Sequence, residues 1–225
     1  MDTADWIEPL EQRYSHWAIP HIVQGLLGLM TLVFLLASFS PQFIKLLVLD
    51  PIAVTHGEVW RFFTFLFIPQ RSGALGMILY LWFTWYISNE LEQEWGAFKI
   101  NLYFLISTFC LISVAFLPFI PQVGEWVPVP YVVGDTLLFS MPIVYGTVFP
   151  RAPLGLFPLP ITFEARYLAI FFAVLTGVQF LLSPFDRLPI LASFAGYFAF
   201  FLPSLWKNWQ MQRDSKHRMK RFRGE

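Results

Sequence analysis

The stretch PYVVGDTLLFSMP, residues 130–142, places an acid and a hydroxyl side by side within a long apolar run. Asp135 and Thr136 could form a reactive pair in which a carboxylate is the base and a hydroxyl the nucleophile. Ser140, one helical turn beyond Thr136, is a further candidate nucleophile. Asp and Thr are also common helix caps, and serine is a common small packing residue between membrane helices. We favour capping and packing, because adjacent residues at a helix start point in different directions.

Glutamates and histidines are the other residues that could bind a metal or move a proton. Glu90, Glu92 and Glu94 alternate along the chain, so they do not share one helix face, and no histidine supplements them. We expect a solvated helix end there and no metal. The histidines, at positions 16, 21, 56 and 217, show no ligand spacing, and Cys110 is the only cysteine. No phosphate-binding loop is present, and we expect no cofactor.

The elements that must position these residues are membrane helices. Of the 225 residues, 56% are apolar and 13% are charged, whereas about a quarter are charged in soluble domains. A helix crosses the hydrocarbon core with about 20 apolar residues. Six segments meet this requirement, namely 19–39, 73–93, 99–119, 129–149, 161–183 and 187–207. We therefore predict an all-α, multi-pass integral membrane protein in a lipid bilayer.

Charge asymmetry predicts the orientation of this bundle. Residues 19–207 form one predicted membrane domain between an N-terminal segment, 1–18, and a basic tail, 208–225. Six spans place both termini on one side, where eleven Lys and Arg lie, against four on the other side. The positive-inside rule then predicts that both termini are cytoplasmic. The basic tail follows a membrane helix, which favours anionic lipid head groups over nucleic acid as its partner.

Two loops carry their own structural predictions. The first loop, residues 40–72, is too long for a simple connector, and its stretch WRFFTFLFI is apolar but too short to cross a bilayer. We expect this stretch to be interfacial, with Trp60 and Arg61 at head-group level. Four prolines between 117 and 130 predict extended chain there. The fourth helix should therefore start late, near Gly134 or Asp135, and be shorter than a bilayer core.

Four stretches, in this order, resemble the rhomboid superfamily of intramembrane serine proteases and their inactive relatives. They are VWRFFTFLF in the first loop, ELEQEWGAFK at the end of the second helix, PLPITFEARYLAIFF at the fifth helix and ASFAGYFAFFLPSLW in the sixth. The likeness extends from about Trp60 to Trp206. The acidic, Trp-containing head is also similar to that of the derlins, a non-proteolytic branch. The resemblance implies a six-helix bundle with an interfacial first loop.

The resemblance also implies where catalytic residues should stand. Active members carry Gly-x-Ser-Gly at the head of the fourth helix, and this motif falls on Gly134 with Thr136 at the serine position. The histidine that acts as base precedes a glycine by three residues, which places Ser193 at that position. The two oxyanion-binding positions fall on Gly76 and Tyr80. No histidine occurs between residues 99 and 207, so the usual base is missing whatever the fine alignment.

Other matching positions imply structural roles. The resemblance assigns Arg61 to tying the first loop to the body, Glu92 to bonding that loop, and Gly96 to ending the second helix. It assigns Gly196 to the close approach of the fourth and sixth helices. The small residue that usually follows four positions later is Phe200 here, so close packing beyond Gly196 is not expected.

We therefore expect a catalytically inactive rhomboid-like protein, a pseudoprotease that binds or retains transmembrane client proteins. One alternative is an active intramembrane protease that uses displaced residues, with Asp135, Thr136 or Ser140 as candidates. Another is a derlin-like component of membrane-protein quality control or retrotranslocation. A small-solute channel fits less well, because channels place ionisable groups within their spans and few occur here.

Overall fold

A computed structural model of the chain describes residues 6–69, 73–119, 135–155, 162–184, 187–203 and 206, and only the backbone of Asp135 and Thr136. Gly134, most of the proline-rich loop and the basic tail lie outside the described residues. The helices are α1 (Ile7–Tyr14), α2 (Ile22–Phe39), α3 (Phe43–Leu47), α4 (Pro51–Thr55), α5 (Arg61–Thr64), α6 (Ala74–Phe116), α7 (Asp135–Leu138), α8 (Met141–Val148), α9 (Ala165–Leu182), α10 (Arg187–Ser193) and α11 (195–203). Strands β1 (Pro153–Gly155) and β2 (Thr162–Glu164) pair antiparallel.

Three helices of the described chain are long and apolar enough to cross a membrane: α2, α6 with the turn that follows it, and α9. Helices α2 and α9 match the predicted first and fifth spans. The fifth helix starts at Ala165 instead of 161, because residues 162–164 belong to β2. The protein is thus a mostly helical membrane protein, which fits the all-α prediction, and it carries one short β-ribbon.

Helix α6 contains the predicted second and third spans and turns a corner at Gly96. Gly96 has φ 78° and ψ 160°, a region that is essentially reserved for glycine because a Cβ would clash with the backbone. The corner separates a first arm, residues 74–95, from a second arm, residues 97–116. The predicted helix end at Gly96 is therefore a sharp corner between the two arms of α6.

The fourth predicted span starts where expected, at Asp135, but a single helix continuing to residue 149 is wrong. Helix α7 has 4 residues and helix α8 has 8 residues, with a turn at 139–140 between them. Pro142 explains the break, because it has no N–H to donate and its ring would clash with the carbonyl of Leu138 in a continuous helix. Within α8 the same proline lies in the first turn, where it is tolerated.

The sixth predicted span, 187–207, is also divided. Helices α10 and α11 meet at a turn at Phe194. Just before it, the Ser193 hydroxyl donates a hydrogen bond of 2.7 Å to the Ile190 carbonyl. Such bonds to the preceding turn compete with the helix ladder and bend helices. The sixth element is therefore a bent pair of helices within the described range.

Helices α8 and α9 make the most extensive helix contact, and Gly146 allows it. A Cβ on Gly146 would lie 2.5 Å from the Ala165 carbonyl oxygen and from the Ala169 Cβ. The ribbon continues the attachment, since the Ala165 amide donates to the Ala152 carbonyl at 3.0 Å. The fourth and fifth elements therefore form one closely packed unit.

Residues 6–17, here called the N-terminal strap, pack on the bundle. Ile7 is fully buried, and Glu11 pairs with Lys99, just beyond the Gly96 corner, at 3.3 Å. The Trp6 indole N–H donates to the Ala199 carbonyl of α11 at 3.4 Å. The strap thus joins the corner of α6 to α11.

Candidate functional site

The head of the fourth segment lies where the resemblance places a nucleophile. Asp135 and Thr136 are residues of α7, and α7 contacts both α6 and α10. Helix α10 carries Ser193, the position of the expected base. The fold therefore brings together the helices on which the resemblance places a nucleophile and a base.

Ser193 cannot act as the base at this site. It is buried, and its hydroxyl hydrogen is bound to the Ile190 carbonyl within its own helix. A neutral hydroxyl in this arrangement cannot do the work of an imidazole, which takes up a proton near neutral pH. The three described histidines, 16, 21 and 56, lie before α6, in the strap, at the start of α2 and in the first loop.

Ser140 forms the centre of a buried polar relay. It is 0% exposed, and its hydroxyl donates to the Leu137 carbonyl at 2.7 Å. Its oxygen also lies 2.5 Å from the Tyr103 hydroxyl. Because the single hydrogen of Ser140 goes to Leu137, Tyr103 is the donor in this second bond. A carbonyl holds the serine hydrogen without removing it, so the relay positions Ser140 but does not activate it.

Tyr103 and Ser107 are site residues that the motifs did not indicate. They stand four apart on the second arm of α6, a spacing that places them on one helix face. Ser107 Oγ accepts a hydrogen bond of 2.9 Å from the Gly196 amide. A Cβ on Gly196 would lie 2.6 Å from Ser107 Oγ and 2.8 Å from a Tyr103 ring carbon. Gly196 therefore allows α11 to approach the third span, not the fourth as the resemblance implied.

Phe200 fills the space where a small residue was expected. It is fully buried and packs among three rings, with centroid distances of 6.3 Å to Trp6, 5.4 Å to Trp95 and 5.9 Å to Tyr103. The helices therefore pack closely beyond Gly196, through contacts between aromatic rings instead of a close approach of their backbones.

The expected oxyanion positions lie on the first arm of α6. Gly76 has no side chain to donate a hydrogen bond. The Tyr80 ring lies 6.5 Å from Phe139, which precedes Ser140. Phe139 lies 6.2 Å from Phe172 of α9, and Phe172 stacks on Phe83 of the first arm at 6.2 Å. These four rings, here called the aromatic bridge, connect the first arm, the fourth segment and α9.

Arg61 holds the first loop together. It is buried, and one guanidinium nitrogen donates to the carbonyls of Lys45 and Val48, each at 2.8 Å. Its Nε donates to Glu58 at 2.6 Å. Trp60, by contrast, is half exposed and its indole N–H reaches the Leu46 carbonyl at 3.4 Å. Arg61 thus fixes the first loop from inside, whereas the Trp60 ring faces outward.

Glu92 bonds the start of the first span instead of the first loop. Its Oε1 accepts from the His21 amide at 2.7 Å, and Oε2 lies 3.4 Å from His21 Nδ1. His21 precedes α2 with φ 56° and offers no side-chain cap, so Glu92 supplies the anion that favours a helix N-terminus. In the described part of the chain, no group of His, Cys, Asp or Glu could hold a metal ion.

A family model described as eukaryotic integral membrane protein (DUF1751) matches residues 22–216. No curated protein and no solved structure matches the chain. The matched range begins at the first residue of α2 and includes every described helix after it. The N-terminal strap precedes the matched range.

Proposed function

The chain belongs to this family of eukaryotic integral membrane proteins, and from that premise we propose that it is a rhomboid-like pseudoprotease. In this proposal the bundle binds or retains transmembrane client proteins and does not cut them. The observation that carries the proposal is the state of two serine hydroxyls, those of the candidate nucleophile Ser140 and of Ser193 at the expected base position. Ser140 and Ser193 each give their hydrogen to a backbone carbonyl, and no histidine occurs between residues 99 and 207.

The chemistry of acyl transfer explains why this state supports a non-catalytic role. A serine or threonine hydroxyl becomes a nucleophile when a base within hydrogen-bond reach takes its proton. Tyr103, the side chain that contacts Ser140, is a donor and adds no basicity. Loss of a single oxyanion donor alone reduces turnover about a hundredfold or more, and Gly76 supplies no side-chain donor.

Client binding has a physical basis in the aromatic bridge. Helix α9 is largely exposed beyond its first turn, and Phe172 contacts Phe83 of the first arm of α6 and Phe139 of the fourth segment. Rings can separate without breaking backbone hydrogen bonds, so a client helix can replace this contact without unfolding either helix. A transmembrane client would lie between the first arm and α9.

The short fourth segment supports the same function. From Asp135 to Val148 the segment is 14 residues long, which corresponds to about 21 Å if fully helical. The hydrocarbon core is about 30 Å thick. A segment this short thins or perturbs the neighbouring bilayer, which would ease the entry of polar client segments.

Photo-crosslinking tests client binding directly. A photoreactive phenylalanine at position 172, in the aromatic bridge, is expected to crosslink a co-expressed transmembrane client. The same probe at position 198, an exposed residue of α11, is the matched control and is expected to give little product. Equal crosslinking at both positions would contradict specific binding at the bridge.

Cleavage assays test the absence of catalysis. Wild type and the variants Thr136→Ala, Ser140→Ala and Asp135→Asn are incubated with a transmembrane substrate and a serine-hydrolase probe, beside an active rhomboid protease. We expect no cleavage and no labelling in any of them. If wild type cuts, and one of these changes abolishes cutting in a folded protein, that residue belongs to a working protease site and the proposal is wrong.

A further inference from the structure

The N-terminal strap contacts the same ring that packs on the site. Trp6 meets Phe200 edge-on at 6.3 Å, and Phe200 meets Tyr103 edge-on at 5.9 Å. The Tyr103 hydroxyl then donates to Ser140, which lies at the break between α7 and α8. One continuous series of contacts therefore leads from the strap to the fourth segment.

Helix α11 connects the strap to Tyr103 in this series of contacts. Gly196 and Phe200 are one turn apart on α11. Tyr103 packs close to Gly196 because the glycine has no Cβ, and the Phe200 ring meets the Tyr103 ring edge-on. A displacement of α11 would therefore move Tyr103 relative to Ser140. The Trp6 indole N–H, bonded to the Ala199 carbonyl, holds α11 at this level.

We propose that the N-terminal strap is a conformational regulator that fixes the fourth segment through Trp6, Phe200, Tyr103 and Ser140. With the strap docked, Tyr103 donates to Ser140 and the short helix α7 stays closed against α10. With the strap released, α11 shifts, the Tyr103–Ser140 bond weakens and the fourth segment opens. The effect on function rests on the proposed client binding, which opening of the fourth segment would change. The coupling between the strap and the fourth segment does not depend on client binding.

A thiol-accessibility assay without any client tests the coupling. In a Cys110→Ser background, Leu138→Cys places a thiol at a buried position of α7, where alkylation by N-ethylmaleimide requires opening. Trp6→Ala is expected to raise the alkylation rate about two- to tenfold, the change that follows loss of one aromatic pair. Trp17→Ala is the matched control, because this strap tryptophan is 78% exposed; it should leave the rate unchanged.

A double-mutant cycle then tests the route. Tyr103→Phe removes the donor to Ser140 and should itself raise the rate. If the strap acts through this bond, adding Trp6→Ala to Tyr103→Phe produces little further increase, since residues in one network are not additive. Rates that multiply, or a Trp6→Ala rate equal to wild type, would overturn the proposal.

Two further measurements distinguish loss of the Trp6–Phe200 contact from global unfolding. Trp6→Phe keeps a ring against Phe200, so it should show a smaller rate increase than Trp6→Ala; an equal increase in a folded protein would contradict the ring contact. Leu111→Cys, at a fully buried position of α6, should remain unlabelled in every variant, and labelling there would indicate global unfolding and count against the proposal. If the cycle is non-additive but crosslinking at position 172 finds no client, the regulatory role of the strap is supported and the proposed client binding is contradicted.

Discussion

Arg61 is a guanidinium enclosed by the loop that it stabilises. Only 6% of the residue is exposed, and three hydrogen bonds connect it to Lys45, Val48 and Glu58. A buried charge is tolerated only when its hydrogen-bonding capacity is used in this way. The two carbonyls belong to α3 and to the chain between α3 and α4, so one side chain fixes a segment with little secondary structure of its own.

Arg61→Ala should therefore lower the melting midpoint in detergent. The change leaves two carbonyls and the Glu58 carboxylate without their donor, at a cost of about 2 to 3 kcal/mol. The measurement is thermal unfolding followed by size-exclusion recovery. Lys45→Ala is the control, since it removes an exposed charge but keeps the carbonyl that Arg61 contacts. Equal midpoints for Arg61→Ala and wild type would show that Arg61 does not stabilise the first loop.

At the scale of elements, glycines decide which helices touch. Gly146 brings α8 against α9, and Gly196 brings α11 against the second arm of α6. A Cβ on Gly177 of α9 would meet nothing within 4 Å, so this glycine serves no contact in the described bundle. These three glycines look alike in the sequence, yet two are packing sites and one is not.

Gly196→Ala should destabilise the protein by about 1 to 3 kcal/mol, the usual cost of overpacking, because its Cβ would overlap Ser107 and Tyr103. Gly177→Ala should be neutral or stabilising by up to about 1 kcal/mol, as alanine favours a helix over glycine. Denaturation of both variants in the same detergent measures the difference. Similar destabilisation by both changes would mean that Gly196 acts through backbone flexibility and not through packing.

At the scale of the whole molecule, the strap and the tail both belong to the predicted cytoplasmic side. The strap contacts Lys99, just beyond the corner at Gly96, and the middle of α11 at Ala199. A six-crossing topology places the corner on the same side of the membrane as both termini. Eleven Lys and Arg on that side against four on the other predict its orientation.

Reporter fusions test this orientation. A reporter after Glu225 should behave as cytoplasmic, because the basic residues that follow α11 resist translocation. A reporter in the first loop, between α3 and α4, should behave as lumenal and serves as the control. A lumenal signal at the C-terminus would overturn the six-crossing topology.

Local composition was enough to predict several features of this chain. Apolar length predicted α2 and α9, glycine predicted a helix end at Gly96, where the chain turns a corner, and proline predicted the late start at Asp135. The break before Pro142 had a local signal too, since proline disrupts a helix interior, but the hydropathy of the segment concealed it. These features follow from backbone sterics and hydrophobicity, which act within a few residues.

The partners of the polar and aromatic side chains emerged only from the folded chain. Ser140 is bonded to Tyr103, 37 positions away, and Glu92 to His21, 71 positions away. The resemblance placed Glu92 on the first loop and Gly196 on the fourth helix, and both placements were wrong. The physical reason is that such contacts depend on how bent helices approach one another, and approach is set by the summed shape of side chains distant in sequence.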